Sequence, residues 1–153
     1  MLKISTLACV VLLVVVAEVA FRAEPDPAAR LRTALILFGA LGAGALFTIR
    51  GYRLEGDVLL VRRLGWNSRI DLAGLQSAEA DPAAMNGSIR TFGNGGFFCF
   101  AGAYWNRRLR SYRAFVTYPR RAVVLRFPRR TVVVTPEHPE EFVAKLKAAR
   151  GLA

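Results

Sequence analysis

Histidine occurs once in these 153 residues and cysteine twice. The one histidine, His138, has no cysteine near it in sequence, so no zinc-ligand spacing exists. It also lies far from Cys99, which leaves that thiol without a base; Cys99 reads as a small buried hydrophobe, not a nucleophile. Cys9 falls in an apolar run and Cys99 in a β-rich region. The two cannot form a disulfide within one domain, and nothing argues for an oxidising compartment. Acidic residues are scarce too: there are 11, with none between Asp81 and Glu137. Asp57, Asp71, Glu79 and Asp81 show neither a paired-carboxylate pattern nor a magnesium motif. Gly93-Asn94-Gly95-Gly96 is glycine-rich, but the Lys-Ser/Thr and the helix of a phosphate loop do not follow it. No recognition-helix or zinc-finger pattern occurs, so no nucleic acid partner is expected, although the charge alone would permit one. No catalytic, cofactor or metal site is expected, and the chain reads as a non-enzyme.

What is present is apolar and basic. Hydrophobic residues make up 54% of the chain and the mean hydropathy is +0.31, high for a protein of this size. The apolar excess sits in the first fifty residues. Net charge is +11, and from Gly51 onward 17 Lys+Arg stand against 8 Asp+Glu, a difference of +9. Nearly all the cations are arginine, whose planar fork suits bidentate contact with phosphate. Such a field attracts phosphate on nucleic acid or on anionic lipid. The same arginines equally suit solvated strand faces in an arginine-rich composition.

Met1 to Phe21 carries only Lys3 and Glu18 as charges. Thr33 to Ile49 carries none and is closed by Arg32 and Arg50. As a helix this second run rises about 26 Å, just short of the roughly 30 Å hydrocarbon core, and flanking arginines can snorkel to make up the difference. Spans over about 4–21 and 32–49, with a connector from Arg22 to Arg32 holding Pro25 and Pro27, form a transmembrane helical hairpin over residues 1–50. Glu18 lies near the interface, with Arg22 at i+4. Gly39 with Ala43, and Ala40 with Gly44, are small residues four apart, a spacing that permits close helix contact in lipid or simply faces it. A rival reading takes Lys3, the apolar run and Val15-Val16-Ala17 as a cleaved signal peptide, which would leave one span. For the uncleaved hairpin, Lys3, Arg50, Arg53, Arg62 and Arg63 share one side against Arg22, Arg30 and Arg32, a bias that places the rest of the chain in the cytoplasm at the inner membrane.

Residues 51–153 form the second domain, where the apolar period changes to two. Tyr52 to Leu54 and Val58 to Arg63 flank a Glu55-Gly56-Asp57 turn. Gly65-Trp66-Asn67 then leads into Ser68 to Leu72, where Ile70 and Leu72 face one way and Arg69 and Asp71 the other. Asp81-Pro82 breaks the pattern. The stretch from Asn86 to Tyr112 follows, with Asn94-Gly95 favouring a tight hairpin turn, the aromatics Phe92, Phe97, Phe98, Phe100, Tyr104 and Trp105, and then Arg107, Arg108 and Arg110. It reads as a glycine-bent hairpin packing aromatics into a small core, or as an exposed aromatic and arginine surface. Tyr118-Pro119-Arg120-Arg121 before AVVL and Phe127-Pro128-Arg129-Arg130 before TVVV suggest two successive hairpin turns joining three antiparallel strands. The chain ends in a helix with His138 at the N-cap, Pro139 at N1, Glu140 and Glu141 in the first turn, and Phe142, Leu146 and Ala149 on one face.

Two spans, about seven strands and a closing helix resemble the membrane-anchored bacterial pleckstrin-homology (PH) domain proteins. The likeness rests on GSIRTFGNGGFF at 87–98, YWNRRLRSYRAFVT at 104–117, VVLRF, TVVVTPEHPEEF and the strand pattern from Tyr52 to Ala80. It implies an α+β fold, a bent and partly open β-barrel capped by the C-terminal helix. That fold hosts lipid binding, peptide binding and scaffolding alike. Phosphoinositide-binding PH domains carry basic residues around the first hairpin turn, whereas Glu55-Gly56-Asp57 is acidic. The expected function is a membrane-anchored, non-catalytic interaction module that meets protein partners or anionic membrane lipids. Arg107, Arg108 and Arg110 are the foremost contact residues, with Arg62 and Arg63 after them. The alternative is an accessory or assembly subunit whose hairpin, with Glu18, pairs with a membrane-protein partner or a second copy.

Overall fold

The computed structural model describes residues 11, 14–19, 21, 22, 26–95 and 99–151. Helix α1 spans Pro27–Leu46. Asp26 caps it, accepting the Ala28 amide at 3.0 Å, and Pro27 occupies N1, where a missing N–H removes no helical bond. Its 20 residues rise about 30 Å, and it is the one helix among the described residues long and apolar enough to cross a membrane. Leu35, Ile36 and Phe38 are all exposed on it. The expected span 32–49 is therefore shifted: Asp26-Pro27 starts the helix inside the expected connector, and Ile49 already belongs to a strand. Most of the expected span 4–21 lies outside the described residues. Within them, residues 11, 14–19, 21 and 22 are helical, and Glu18 pairs with Arg22 at 2.9 Å.

Among the described residues nine strands follow, not about seven. β1 (Ile49–Glu55), β2 (Val58–Arg63) and β3 (Asn67–Asp71) form an antiparallel meander. β4 (Ser77–Ala80), β5 (Ile89–Gly95), β6 (Phe100–Asn106), β7 (Arg110–Val116), β8 (Val123–Arg126) and β9 (Thr131–Val134) form a six-stranded sheet in the order β4-β8-β9-β7-β6-β5. β4 reads Ser-Ala-Glu-Ala, which has no intrinsic strand preference; its pairing with β8 holds it extended. Ile70 and Leu72 are buried while Arg69 and Asp71 are exposed, as the alternation requires.

Two expected hairpin turns are not formed by the residues named for them. Asn94 and Gly95 are strand residues paired with Ala101 and Phe100. The Asn94 carbonyl accepts the buried Tyr104 hydroxyl at 2.5 Å, which holds this segment in the ladder. Phe97 and Phe98 lie outside the described residues. The second correction concerns Tyr118-Pro119-Arg120-Arg121, where Pro119–Arg121 forms a 3-10 turn that is not a hairpin. β9 inserts between β7 and β8, parallel to the first and antiparallel to the second. Val132, Val133 and Val134 are all buried, as a strand covered on both faces demands.

One core lies on the face of the larger sheet that meets the meander and contains Leu59, Val61, Ile70, Leu72, Phe115 and Leu125. A second, with Tyr104, Tyr112, Ala114, Val116 and Val133, is closed on the other face by Ala84 and Met85. The Tyr52 hydroxyl joins the sheets, donating to the Phe115 carbonyl at 2.6 Å and accepting the Thr135 amide at 3.2 Å; burial pushes this phenol up to about 12. Helix α2 (Pro139–Arg150) starts from His138, whose side chain makes no capping bond, and ends on left-handed Gly151. It packs Phe142, Val143 and Leu146 on the first core, while Ala149, expected on that face, is exposed.

Gly93 and Gly102 face each other across β5 and β6 with φ of 102° and 146°. A Cβ on Gly102 would overlap the Phe92 carbonyl oxygen, and one on Gly93 the Ala101 carbonyl. Backbone cannot yield as a side chain can. Gly102→Ala is expected to destabilise the protein by about 2 kcal/mol or more. A melting temperature in detergent equal to that of the parent would contradict the close approach.

Candidate functional site

Only Phe47 and Thr48 separate α1 from β1. The last carbonyls of a helix lack intrahelical partners. At Phe47, the C-cap, two donors converge: Arg63 Nη1 at 3.0 Å and Cys99 Sγ at 3.3 Å. Arg63 ends β2, and its amide donates to the Trp66 carbonyl at 3.0 Å, closing the turn that brings Trp66 over it. The guanidinium lies 5.9 Å from the Phe47 ring, 5.6 Å from Trp66 and 5.7 Å from Phe115, and the Phe47 and Trp66 rings meet edge to face at 5.0 Å. Each such cation–π contact contributes about 0.5–2 kcal/mol, depending on desolvation. Among the described residues, Arg63 Nε is buried without a hydrogen-bond partner. Burial pushes the Arg63 guanidinium below its ordinary value, and the Arg113 cation acts in the same direction. Burial pushes the Cys99 thiol up, which keeps it a protonated donor.

Beside this junction the sandwich opens. A groove of 1160 Å³ runs between β3 and the inner face of β5, β6 and β7, and reaches α1. Ala43, Gly44, Phe47 and Trp66 line it together with Arg63, Arg69, Arg113, Arg129 and Arg130, with no carboxylate among the described residues. Arg130 is engaged, donating to the Asp71 carbonyl at 2.6 Å and lying 4.6 Å from the Phe127 ring. Arg113 lies 5.3 Å from the Phe115 ring. Among the described residues, Arg69, Arg113 and Arg129 have neither a hydrogen bond nor an ion pair from their guanidinium groups.

The expected contact residues fall into three places. Arg63 lines the groove. Arg62 is its exposed neighbour on β2, on the opposite face of the strand. Arg107, Arg108 and Arg110 sit at the β6–β7 turn, roughly 20 Å along β6 from its start beside Cys99, and Ser111, next to Arg110, lines the groove. That turn is built by buried Asn106, which sequence reasoning missed. Its Nδ2 donates to the Ala84 carbonyl at 2.8 Å and to Ser88 Oγ at 2.9 Å, and its Oδ1 accepts the amides of Arg108 at 3.1 Å and Leu109 at 2.7 Å. Arg108 pairs with Asp81, which ties the turn to the segment after β4. Arg110 has a φ of 61°, the one left-handed non-glycine among the described residues. Sequence reasoning also missed Arg69, Arg113, Arg129 and Arg130. The Phe-Pro-Arg-Arg echo and the acid-free run from Asp81 to Glu137 were the signals that pointed to the last three, and Arg69 had none.

A family model described as a bacterial PH domain matches residues 50–150, about two thirds of the chain, and the chain belongs to that family. No curated protein and no solved structure matches it. PH domains are interaction modules for lipids or proteins, and are generally non-catalytic.

A left-handed arginine costs on the order of 1 kcal/mol that glycine avoids. Arg110→Gly is therefore expected to raise stability by about 0.5–1 kcal/mol in thermal melts. A destabilised variant would mean that the Arg110 side chain contributes more to the fold than its backbone costs.

Proposed function

We propose that this bacterial PH-domain chain is a membrane-anchored, non-catalytic interaction module of the inner membrane, with residues 51–153 on the cytoplasmic side. Residues 1–50 form its hairpin. The observation that carries this reading is the junction: a 20-residue apolar helix with an exposed surface is joined to a strongly basic domain through two residues and a doubly bonded carbonyl. A hairpin is supported by the cleft of 310 Å³ lined by Val14, Ala17, Glu18 and Phe21 on one side and Thr33, Ala34, Leu37 and Phe38 on the other. Ala43 and Gly44 of α1 line the basic groove, so anionic headgroups are its natural ligands, each cation near such a surface contributing about 1 kcal/mol.

A C-terminal reporter that is active only in the cytoplasm tests the arrangement. The expected outcome is cytoplasmic activity with the full-length chain resisting alkaline extraction from membranes. A shortened chain in the periplasm would overturn it and favour the signal-peptide reading.

Strain at Arg110 favours a second reading, an accessory subunit of a membrane complex. Strained residues concentrate at functional sites, and Arg110 is held left-handed at the turn it shares with Arg107 and Arg108. There the distal turn meets a protein partner while the hairpin, with Glu18, packs on partner helices. Purification in mild detergent followed by mass spectrometry is expected to recover a stoichiometric partner that Arg107→Glu/Arg110→Glu releases. Recovery of a lone chain from the parent would remove this reading.

A further inference from the structure

The six-stranded sheet ends at β5, whose outer edge has no strand neighbour among the described residues. Such an edge presents a row of backbone donors and acceptors that a further strand can join. The carbonyls of Gly93 and Asn94 are taken, the first by Arg90 Nη1 at 3.2 Å and the second by the Tyr104 hydroxyl, so Ile89 to Phe92 is the length left to pair. We infer that β5 receives an extended segment of a partner protein, with apolar side chains on one face of that segment and carboxylates on the other. This deepens the reading of the chain as an interaction module, and it depends on neither the span nor the groove.

Cross-strand pairing sorts the side chains of β5 between the two faces. Ile89 lies opposite Trp105 and Phe92 opposite Ala103, on the face turned away from Tyr104 and the second core. Phe92 is 80% exposed, more than any other large apolar side chain among the described residues, and Ile89 is 63% exposed. Phe38 and Ile36, next in exposure, stand on the candidate span, where lipid accounts for them; Phe92 stands on a sheet. With exposed Trp105 they make an apolar patch along the free edge, the kind of surface that partners cover. Arg90 lies opposite Tyr104 and therefore on the other face. β5 and β7 carry arginines, and none of β5, β6 and β7 carries a carboxylate. An alternating strand beside β5 sets its apolar residues on Ile89 and Phe92 and its carboxylates on the side of Arg90. A second copy would instead bring its own Arg90 to the same edge and its own charge of +9 to a like charge, and charged edge residues of this kind keep edges from pairing with themselves. Single-stranded nucleic acid suits the charge, but it binds by stacking on rings and has no use for a strand edge or for aliphatic Ile89.

The full-length chain in mild detergent is titrated into a fluorescein-labelled peptide, Glu-Val-Glu-Phe-Glu-Val-Glu, and fluorescence anisotropy is read. Saturable binding is expected, at least tenfold tighter than for Glu-Glu-Glu-Glu-Val-Phe-Val, which keeps the composition and loses the alternation. N-methylation of the peptide's Phe and the Glu after it removes a donor from either edge and is expected to weaken binding at least tenfold. Ile89→Ser and Phe92→Ser, both at exposed positions, are each expected to weaken it at least fivefold, and Tyr118→Ser, exposed elsewhere, to leave it unchanged. Equal affinity for the alternating and blocked peptides, no loss on N-methylation, or unchanged binding by both β5 variants would overturn the inference. Displacement of the peptide by an equal concentration of oligothymidylate would overturn it in favour of a nucleic-acid surface. A dimer of the parent that Phe92→Ser dissociates would overturn it in favour of a second copy. None of these results bears on the anchoring, which the C-terminal reporter tests separately.

Discussion

The carbonyl of Phe47 is the point on which the molecule turns. It ends a helix, where backbone acceptors lack partners, and it receives Arg63 from the β2 end and Cys99 from the start of β6. Arg63 can reach it only because the turn to Trp66 and the ring of Phe115 hold the guanidinium in place. Three pieces of chain distant in sequence thus converge on one oxygen, and with two residues between helix and strand the domain has little freedom to swing on α1. The groove's orientation toward the helix follows from that restraint.

The larger sheet gives the domain its two basic surfaces. Inward-facing residues of β7 alternate with those of its other face, so Arg113 and Phe115 look toward the meander while Tyr112, Ala114 and Val116 fill the second core. Where β3 ends the meander, that inner face is left open and the arginines line it. The same β6–β7 hairpin carries Arg107, Arg108 and Arg110 at its far turn, where the four hydrogen bonds of Asn106 set the backbone. A buried amide with both ends satisfied is a strong local constraint, and it accounts for Arg110 being held left-handed.

Local signals were read well where neighbours in sequence decide the outcome. Asp26-Pro27 and His138-Pro139 start helices, Gly56 turns a hairpin, and the Ile70–Leu72 alternation gives the buried face of β3 and the residue after it. They failed where a distant partner wins. Asn94-Gly95 has the composition of a tight turn, but the Tyr104 hydroxyl and the Gly93–Gly102 approach keep it in a ladder. β4 has no strand composition and exists through β8. The Tyr118 turn looked like the Phe127 turn, yet only the second makes a hairpin, because β9 lies between β8 and β7 and keeps those two from pairing.

Sequence alone determined an apolar first third, a β-rich remainder, a closing helix and an arginine-heavy stretch without acids, because composition, caps and periodicity act over a few residues. It also carried the family resemblance. Which arginines share a surface was decided by tertiary structure. Arg63, Arg69, Arg113 and Arg129 come from four different segments, and Arg110 stands three residues before Arg113 on the same strand, at its turn end. Strand order is chosen by the burial of Val132, Val133 and Val134 between distant neighbours, a long-range gain that no window of sequence contains.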